Sequence, residues 1–212
     1  MTPIKAIIFD LDGVIVTTEH NHYLAWKKTA DQLGIPFSEN ENEMLKGLSR
    51  IDSLKVILHL GNKEISDDQF NQLIDEKNTF YRESIANLSR EDLLPGVLNV
   101  LEQAKSKGIP LAVGSASKNA PFIVGLLELD PYFEIVVDGT MVKNPKPNPE
   151  VFLCAAKHLN VDPAECIVLE DAESGINAAK AGGFRAIGVG NKHIAELADY
   201  YLNDLTEFNF SI

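Results

Sequence analysis

The chain has 212 residues, room for one domain of ordinary size or for one core carrying a smaller inserted domain, and too few for a large multidomain machine. Hydrophobic residues make up 45% and charged residues 24%, so a sizeable core can be buried and intrinsic disorder is excluded. Lys and Arg total 19 against 31 Asp and Glu, a formal charge of −12 that opposes binding to nucleic acid or to an anionic membrane surface.

Ile4 to Phe9 reads as a short buried parallel strand that ends abruptly in Asp10-Leu11-Asp12-Gly13. Its apolar run is too short for a signal sequence or a membrane span, so a cytoplasmic protein is expected. From about Glu19 to Leu88 the apolar residues, among them Leu33, Leu54, Ile57, Leu73 and Tyr81, recur at helical spacing, and strand signals are nearly absent. After Leu94-Pro95-Gly96 helix and strand alternate. Helices are predicted over Val97 to Lys107, Pro121 to Leu127, Pro149 to His158 and Ser174 to Ala181, the first closed by Gly108 and the last by Gly182-Gly183. Strands are predicted over Leu111 to Val113, Glu134 to Val137, Ile167 to Leu169 and Ala186 to Val189. A lone strand, a helical block and then repeated helix-strand units predict an α/β fold, a doubly wound Rossmann-like parallel sheet with a helical cap domain inserted after the first strand. The core would comprise residues 1–17 and 89–212 and the cap residues 18–88, with hinges near Thr17-Thr18 and Ser89-Arg90-Glu91.

Four polar clusters each follow a predicted core strand. Asp10 and Asp12, on a strand end that splays into a loop, can face one reacting centre, one as nucleophile and the other as general acid/base. Gly114-Ser115-Ala116-Ser117 offers a hydroxyl and backbone N–H groups to a phosphoryl oxygen. Lys146 is a single cation in the stiff run Asn144-Pro145-Lys146-Pro147-Asn148-Pro149. Glu170 and Asp171 complete, with Asp10, an oxygen-rich set suited to Mg²⁺. Each cluster has an ordinary structural reading as well: a turn or cap for the paired aspartates, a turn for the Ser loop, a solvated lysine, and a helix-dipole role for Glu-Asp. The placement of all four after separate strands favours one shared site.

Other signals are read as structural. Gly188-Val189-Gly190 lacks the third glycine of a dinucleotide loop and lies at the end of the fold, so it is read as a strand end and turn. His20 and His22 are two apart and would lie on different helix faces, which disfavours a zinc pair. Tyr23, Trp26 and Phe37 read as packing within the cap. Cys154 and Cys166 lie twelve positions apart with no CxxC and are expected to be two ordinary buried thiols.

On Asp10 with Asp12, Ser115, Lys146, and Glu170 with Asp171, the chain resembles the haloacid dehalogenase superfamily of phosphoryl-transfer enzymes, whose four motifs these residues match. Within it the chain is most similar to the sugar-phosphate mutases. The helical insertion carries His22 with Trp26, the run Leu45-Lys46-Gly47-Leu48-Ser49-Arg50-Ile51-Asp52-Ser53-Leu54, and Lys77-Asn78, while the core carries Ser115-Ala116-Ser117-Lys118-Asn119. Two positions depart from the family pattern: Thr17 stands where Asp is common, and Ala172-Glu173 replaces the more usual Ser-Gln. Thr caps a following helix less well than Asp, and neither change removes a reacting group.

The resemblance implies a Mg²⁺-dependent mutase interconverting beta-D-glucose 1-phosphate and D-glucose 6-phosphate through an aspartyl-phosphate enzyme and glucose 1,6-bisphosphate. The alternative is a sugar-phosphate or phosphoglycolate phosphatase with the same core chemistry. The implied catalytic residues are Asp10, Asp12, Ser115 and Lys146, and the implied metal ligands Asp10, Asp12, Glu170 and Asp171. Substrate binding would fall to His22, Trp26, Lys46, Gly47, Arg50, Ser53 and Lys77 in the insertion and to Ser115, Ala116, Ser117, Lys118 and Asn119 in the core. Arg50, whose planar fork can bond two phosphate oxygens at once, is the candidate clamp for the distal phosphate. The expected partners are small sugar phosphates, with no nucleic acid and no membrane, and a monomer is expected.

Overall fold

Short runs of Ile, Val, Leu and Ala with no polar face make strands that must be covered on both sides, and in the computed structural model, which describes residues 3–45 and 48–211, they form one parallel sheet. Its strands are β1 (Ala6–Phe9), β2 (Leu111–Gly114), β3 (Ile135–Val137), β4 (Cys166–Glu170), β5 (Arg185–Val189) and β6 (Tyr200–Leu202). They pair in the order β3-β2-β1-β4-β5-β6, every neighbour parallel. The chain moves outward from β1 through β2 to β3 and then crosses back to place β4 on the other side of β1. That reversal opens a crevice beyond the carboxyl ends of β1 and β4, the usual ligand position in such sheets.

Between β1 and β2 lie α1 (Glu19–Gln32), α2 (Glu39–Glu43), α3 (Arg50–Leu60) and α4 (Asp67–Ser84), followed by α5 (Val97–Ser106). The crossovers after β2, β3 and β4 carry α6 (Ala120–Leu126), α7 (Glu150–Leu159) and α8 (Glu173–Ala181). The chain divides into two compact units, Met1–Thr17 with Leu88–Ile212, and Thr18–Asn87. In the α/β unit, Val151, Phe152, Ala155 and Ala156 of α7 and Ile176, Ala178 and Ala179 of α8 pack with Ile8, Ala112, Val137 and Val168 of the sheet in one buried cluster. The helical unit has its own core, built on Trp26, Ala30, Phe37, Leu54, Ile57 and Leu73. Three of its helices begin at serine caps. Ser38 forms a capping box with Glu41, Ser49 accepts from Asp52 N, and Ser66 accepts from Gln69 N.

The expected doubly wound α/β fold is present, with three differences in detail. Strand β6 was not predicted: three residues at the sheet edge, two of them tyrosines, carry too little periodicity to be read, and they join through backbone pairing with β5. Glu170 belongs to β4 itself instead of following it. Cys154 is only partly buried, because it lies on α7 one turn from His158, while Cys166 is fully buried at the start of β4. Among the described residues no helix is long and apolar enough to cross a membrane.

Candidate active site

The end of β1 turns inside seven residues. Asp10 N still donates to Leu169 O of β4 at 2.9 Å, after which Ile15 N and Val16 N both return to Leu11 O at 2.9 and 3.2 Å, and Gly13 N donates to Val16 O at 2.8 Å. Gly13 takes a left-handed φ of +88°, and a Cβ there would lie 2.1 Å from Asp171 Oδ2, so glycine alone permits both the turn and the approach of Asp171. The turn carries Asp10, 8% exposed, and the half-buried Asp12 at the mouth of the crevice.

Lys146 bridges the neighbouring strands. Its Nζ donates to Asp10 Oδ1 at 2.5 Å and to Glu170 Oε1 at 2.7 Å, and it lies 4.6 Å from the centre of the Phe152 ring. The other oxygen of Glu170 accepts from Ala172 N at 2.7 Å, and Gly175 of α8 makes room for the carboxylate, since a Cβ there would sit 1.7 Å from Glu170 Oε1. The loop that presents Lys146 is tied back by Glu150, the first residue of α7, which accepts from Lys143 N, Asn144 N and Asn144 Nδ2 at 3.0, 2.9 and 2.8 Å. These hydrogen bonds hold the Glu150 carboxyl below its ordinary pKa.

Electrostatics in the crevice are dominated by crowded carboxylates. Burial, aided by the charges of Glu170 and Asp12, outweighs the pull of Lys146 and raises Asp10 to about 7. Burial and the charges of Asp10, Glu170 and Asp12 likewise raise Asp171 to about 8. Burial works against the Lys146 ammonium, but Asp10 and Glu170 together overcome it and keep its pKa above the ordinary lysine value. Of these four carboxylates Asp10 and Glu170 pair with the one lysine, and the all-oxygen donor set fits a hard divalent cation such as Mg²⁺. Among the described residues no group of three or more such side chains is already gathered as a ligand cage; the carboxylates repel one another, and Lys146 draws Asp10 and Glu170 to itself.

On the other side of β1, the loop after β2 is shaped by its serines. Ser117 N donates to Ser115 Oγ at 3.1 Å, Asn119 N to Ser117 Oγ at 3.2 Å, and Ser115 N to Val137 O of β3 at 3.0 Å. Ser115 and Asn119 are each 4% exposed, whereas Ala116 and Lys118 are exposed. Gly139 allows the segment after β3 to press on this loop, since a Cβ there would lie 2.2 Å from Ala116 O.

In the helical unit Lys77 is 3% exposed. Its Nζ donates to His22 Nδ1 at 2.9 Å and lies 4.7 and 4.8 Å from the ring centres of Trp26 and Tyr81. Burial, then Lys77 and Arg50, lower the His22 pKa well below the ordinary value, so the imidazole is neutral and can accept this bond. Tyr81 is held by Thr18, Oγ1 to OH 2.9 Å, and packs on His22 with the rings tilted by 33° and 4.1 Å between centres. Trp26 and Ser53 are buried within the unit, while half-buried Arg50 opens α3, its guanidinium pKa lowered by burial against the opposing charge of Asp75. Lys46 and Gly47 lie outside the described residues.

The α/β unit therefore brings Asp10, Asp12, Lys146, Glu170 and Asp171 to one sheet edge, with Ser115 on the adjoining strand end. Sequence reasoning passed over Glu150, Gly175 and Asn191, whose Nδ2 donates to Asp171 O at 3.0 Å. Only Glu150 carried a signal, as an acid in the first turn of a helix.

The profile of the haloacid dehalogenase-like hydrolase family matches residues 4–183. Over 188 residues the chain is 46% identical to the beta-phosphoglucomutase of Bacillus subtilis (strain 168), covering 88% of this chain and 83% of that one. It is 33% identical over 185 residues to the phosphorylated carbohydrates phosphatase of Thermotoga maritima, with coverage of 86% and 83%. The crystal structure of beta-phosphoglucomutase from Clostridium difficile matches with a TM-score of 0.93 at 40% identity, covering 98% of this chain and 94% of that one.

Proposed function

The chain belongs to the haloacid dehalogenase-like hydrolase family, and from that premise we propose that it is a phosphoryl-transfer mutase, a beta-phosphoglucomutase that interconverts beta-D-glucose 1-phosphate and D-glucose 6-phosphate through an aspartyl-phosphate enzyme and glucose 1,6-bisphosphate. The observation that carries this reading over the phosphatase alternative is the 46% identity, over most of the chain, to a protein of that activity, against 33% to a sugar-phosphate phosphatase.

Asp10 is the proposed nucleophile. In one half its carboxylate attacks a phosphorus of the sugar bisphosphate, the bond from that phosphorus to the sugar oxygen breaks, and Asp12 delivers the proton to the departing oxygen, leaving a sugar monophosphate. In the other half Asp12 takes the proton from the free hydroxyl of a sugar monophosphate as that oxygen attacks the aspartyl phosphate, which forms the bisphosphate and frees Asp10. Lys146, fixed against Asp10 and Glu170, and Ser115 on the next strand end offset charge on the transferring group. Asp10, Glu170, Asp171 and the Asp12 backbone carbonyl would hold Mg²⁺. That ion would supply the positive charge that four carboxylates and a phosphoryl group together lack.

The helical unit is proposed as a cap that serves the second phosphate. Arg50, at the start of a serine-capped helix, offers a two-pronged contact, and the His22–Lys77 pair a buried cation beside a neutral acceptor. Lys46, Gly47, Trp26 and Ser53 on this side, and Ala116, Ser117, Lys118 and Asn119 on the core side, complete the proposed substrate contacts. The small anionic metabolites the chain would use support a cytoplasmic location.

One assay tests the reading: beta- and alpha-glucose 1-phosphate supplied separately, with Mg²⁺ and a trace of glucose 1,6-bisphosphate, while glucose 6-phosphate and free phosphate are followed together. The expected result is glucose 6-phosphate from the beta anomer with little free phosphate. Release of free phosphate from both anomers as the main product would make the protein a phosphatase.

A further inference from the structure

The turn after β5, read from sequence as a strand end and turn without chemistry, reaches back to the acidic crevice. Gly190 takes a φ of +75°, its N–H is held by Leu202 O at 3.0 Å, and Asn191 N returns to Val189 O at 2.8 Å. This anchored turn aims the half-buried Asn191 side chain at the neighbouring loop. Nδ2 donates to the backbone carbonyl of Asp171 at 3.0 Å, while Oδ1 accepts from His193 N at 3.1 Å and starts a short helical turn over Lys192–Ile194. With both ends of its amide engaged, Asn191 cannot rotate without losing a bond.

Asp171 is held from three directions. Its carboxylate lies over Gly13, where a Cβ would lie 2.1 Å from Oδ2. Its chain neighbour Ala172 is pinned by Glu170 Oε2 at 2.7 Å. Its own carbonyl is held by Asn191. Asp171 follows β4 directly and stands in a bend, so without the third tie its peptide plane could turn and swing the carboxylate away from Asp10 and Glu170. We propose that Asn191 is a positioning residue for Asp171, fixing the peptide so that the carboxylate is presented to a divalent cation shared with Asp10. The proposal rests on the assignment of Asp171 as a metal ligand made above. Groups that orient ligands in this way typically contribute a factor of about 10 to 100 in metal affinity.

The test is calorimetric titration of Mg²⁺ into the metal-free full-length protein, together with its thermal midpoint. Asn191→Ser keeps an oxygen for His193 N but cannot reach the Asp171 carbonyl. Its midpoint should stay near that of the unaltered protein while Mg²⁺ affinity falls about 10-fold or more. Turnover should return to nearly the original kcat at saturating Mg²⁺, the defect lying in the metal concentration required. Asn191→Asp gives a second arm: it keeps the cap but sets a carboxylate oxygen against the Asp171 carbonyl. Coulomb attraction alone would make Mg²⁺ bind more tightly to this variant, whereas loss of positioning predicts weaker binding. Unchanged affinity in Asn191→Ser, or tighter binding in Asn191→Asp, would overturn the proposal while leaving Asp171 as a ligand. Failure of the unaltered protein to bind Mg²⁺ would remove the metal-site reading and this proposal with it.

Discussion

At the scale of single residues, the crevice depends on one lysine among four carboxylates. Lys146→Ala would leave Asp10 and Glu170 as buried charges without their partner, a change that typically costs about 3–5 kcal/mol. Asp10, already raised to about 7, would move further up, so less of the proposed nucleophile would exist as carboxylate at neutral pH. Turnover should fall by about a hundredfold or more, and urea denaturation should report the lost stability. Asp10→Asn should abolish sugar-phosphate turnover and labelling by acetyl phosphate while leaving the fold intact; labelling at the original level would place the nucleophile elsewhere. Asp12→Asn keeps the backbone carbonyl but loses the proposed proton donor. Its turnover should drop by about two to four decades with Mg²⁺ affinity little changed, and a collapse of affinity with normal chemistry would make Asp12 a ligand alone.

At the scale of elements, turns and caps decide where those residues point. Gly13→Ala would force a side chain into a left-handed conformation, at about 1–3 kcal/mol, and against the Asp171 carboxylate. Both stability and Mg²⁺ affinity should fall, and calorimetry of the variant measures them together. In the helical unit Ser49 caps the helix whose first residue is Arg50. Ser49→Ala should cost about 1 kcal/mol of stability and raise the KM for sugar phosphate, because the fraying turn carries the proposed phosphate clamp. A KM left untouched would argue that Arg50 does not depend on the cap.

At the scale of the whole molecule, the acidic crevice ties stability to pH. Asp10 and Asp171 rise from the ordinary 3.8 to about 7 and about 8, so between these limits the folded chain holds protons that the unfolded chain has released. The stability due to these groups is complete below pH about 4 and is lost as pH rises through 7 and 8. The thermal midpoint of metal-free protein should therefore decline from about pH 5 to about pH 8 on account of these groups. Saturating Mg²⁺ should flatten that decline, because a bound cation takes over the role of the protons. An identical pH profile with and without Mg²⁺ would separate the carboxylates from the metal.

The alternation of helical and strand periods after Leu94, the lone strand before the helical block, and the four polar clusters behind strands made the doubly wound α/β fold and the residues of the crevice readable from the chain alone. Those signals are local: apolar period, glycine stops and acidic strand ends depend on neighbours a few residues away. The pairing of Lys146 with Asp10 across 136 positions in the chain is of another kind, as are the space Gly175 leaves for Glu170, the tie from Asn191 to Asp171, and the edge strand β6. Each depends on segments far apart in sequence meeting at the carboxyl end of one sheet, and no local pattern records which backbone will approach which. The chain by itself determined which chemical groups would stand at that edge. Only the tertiary structure decided their partners, their burial and so their charge, because desolvation and Coulomb energy depend on distances that exist only once the strands have paired.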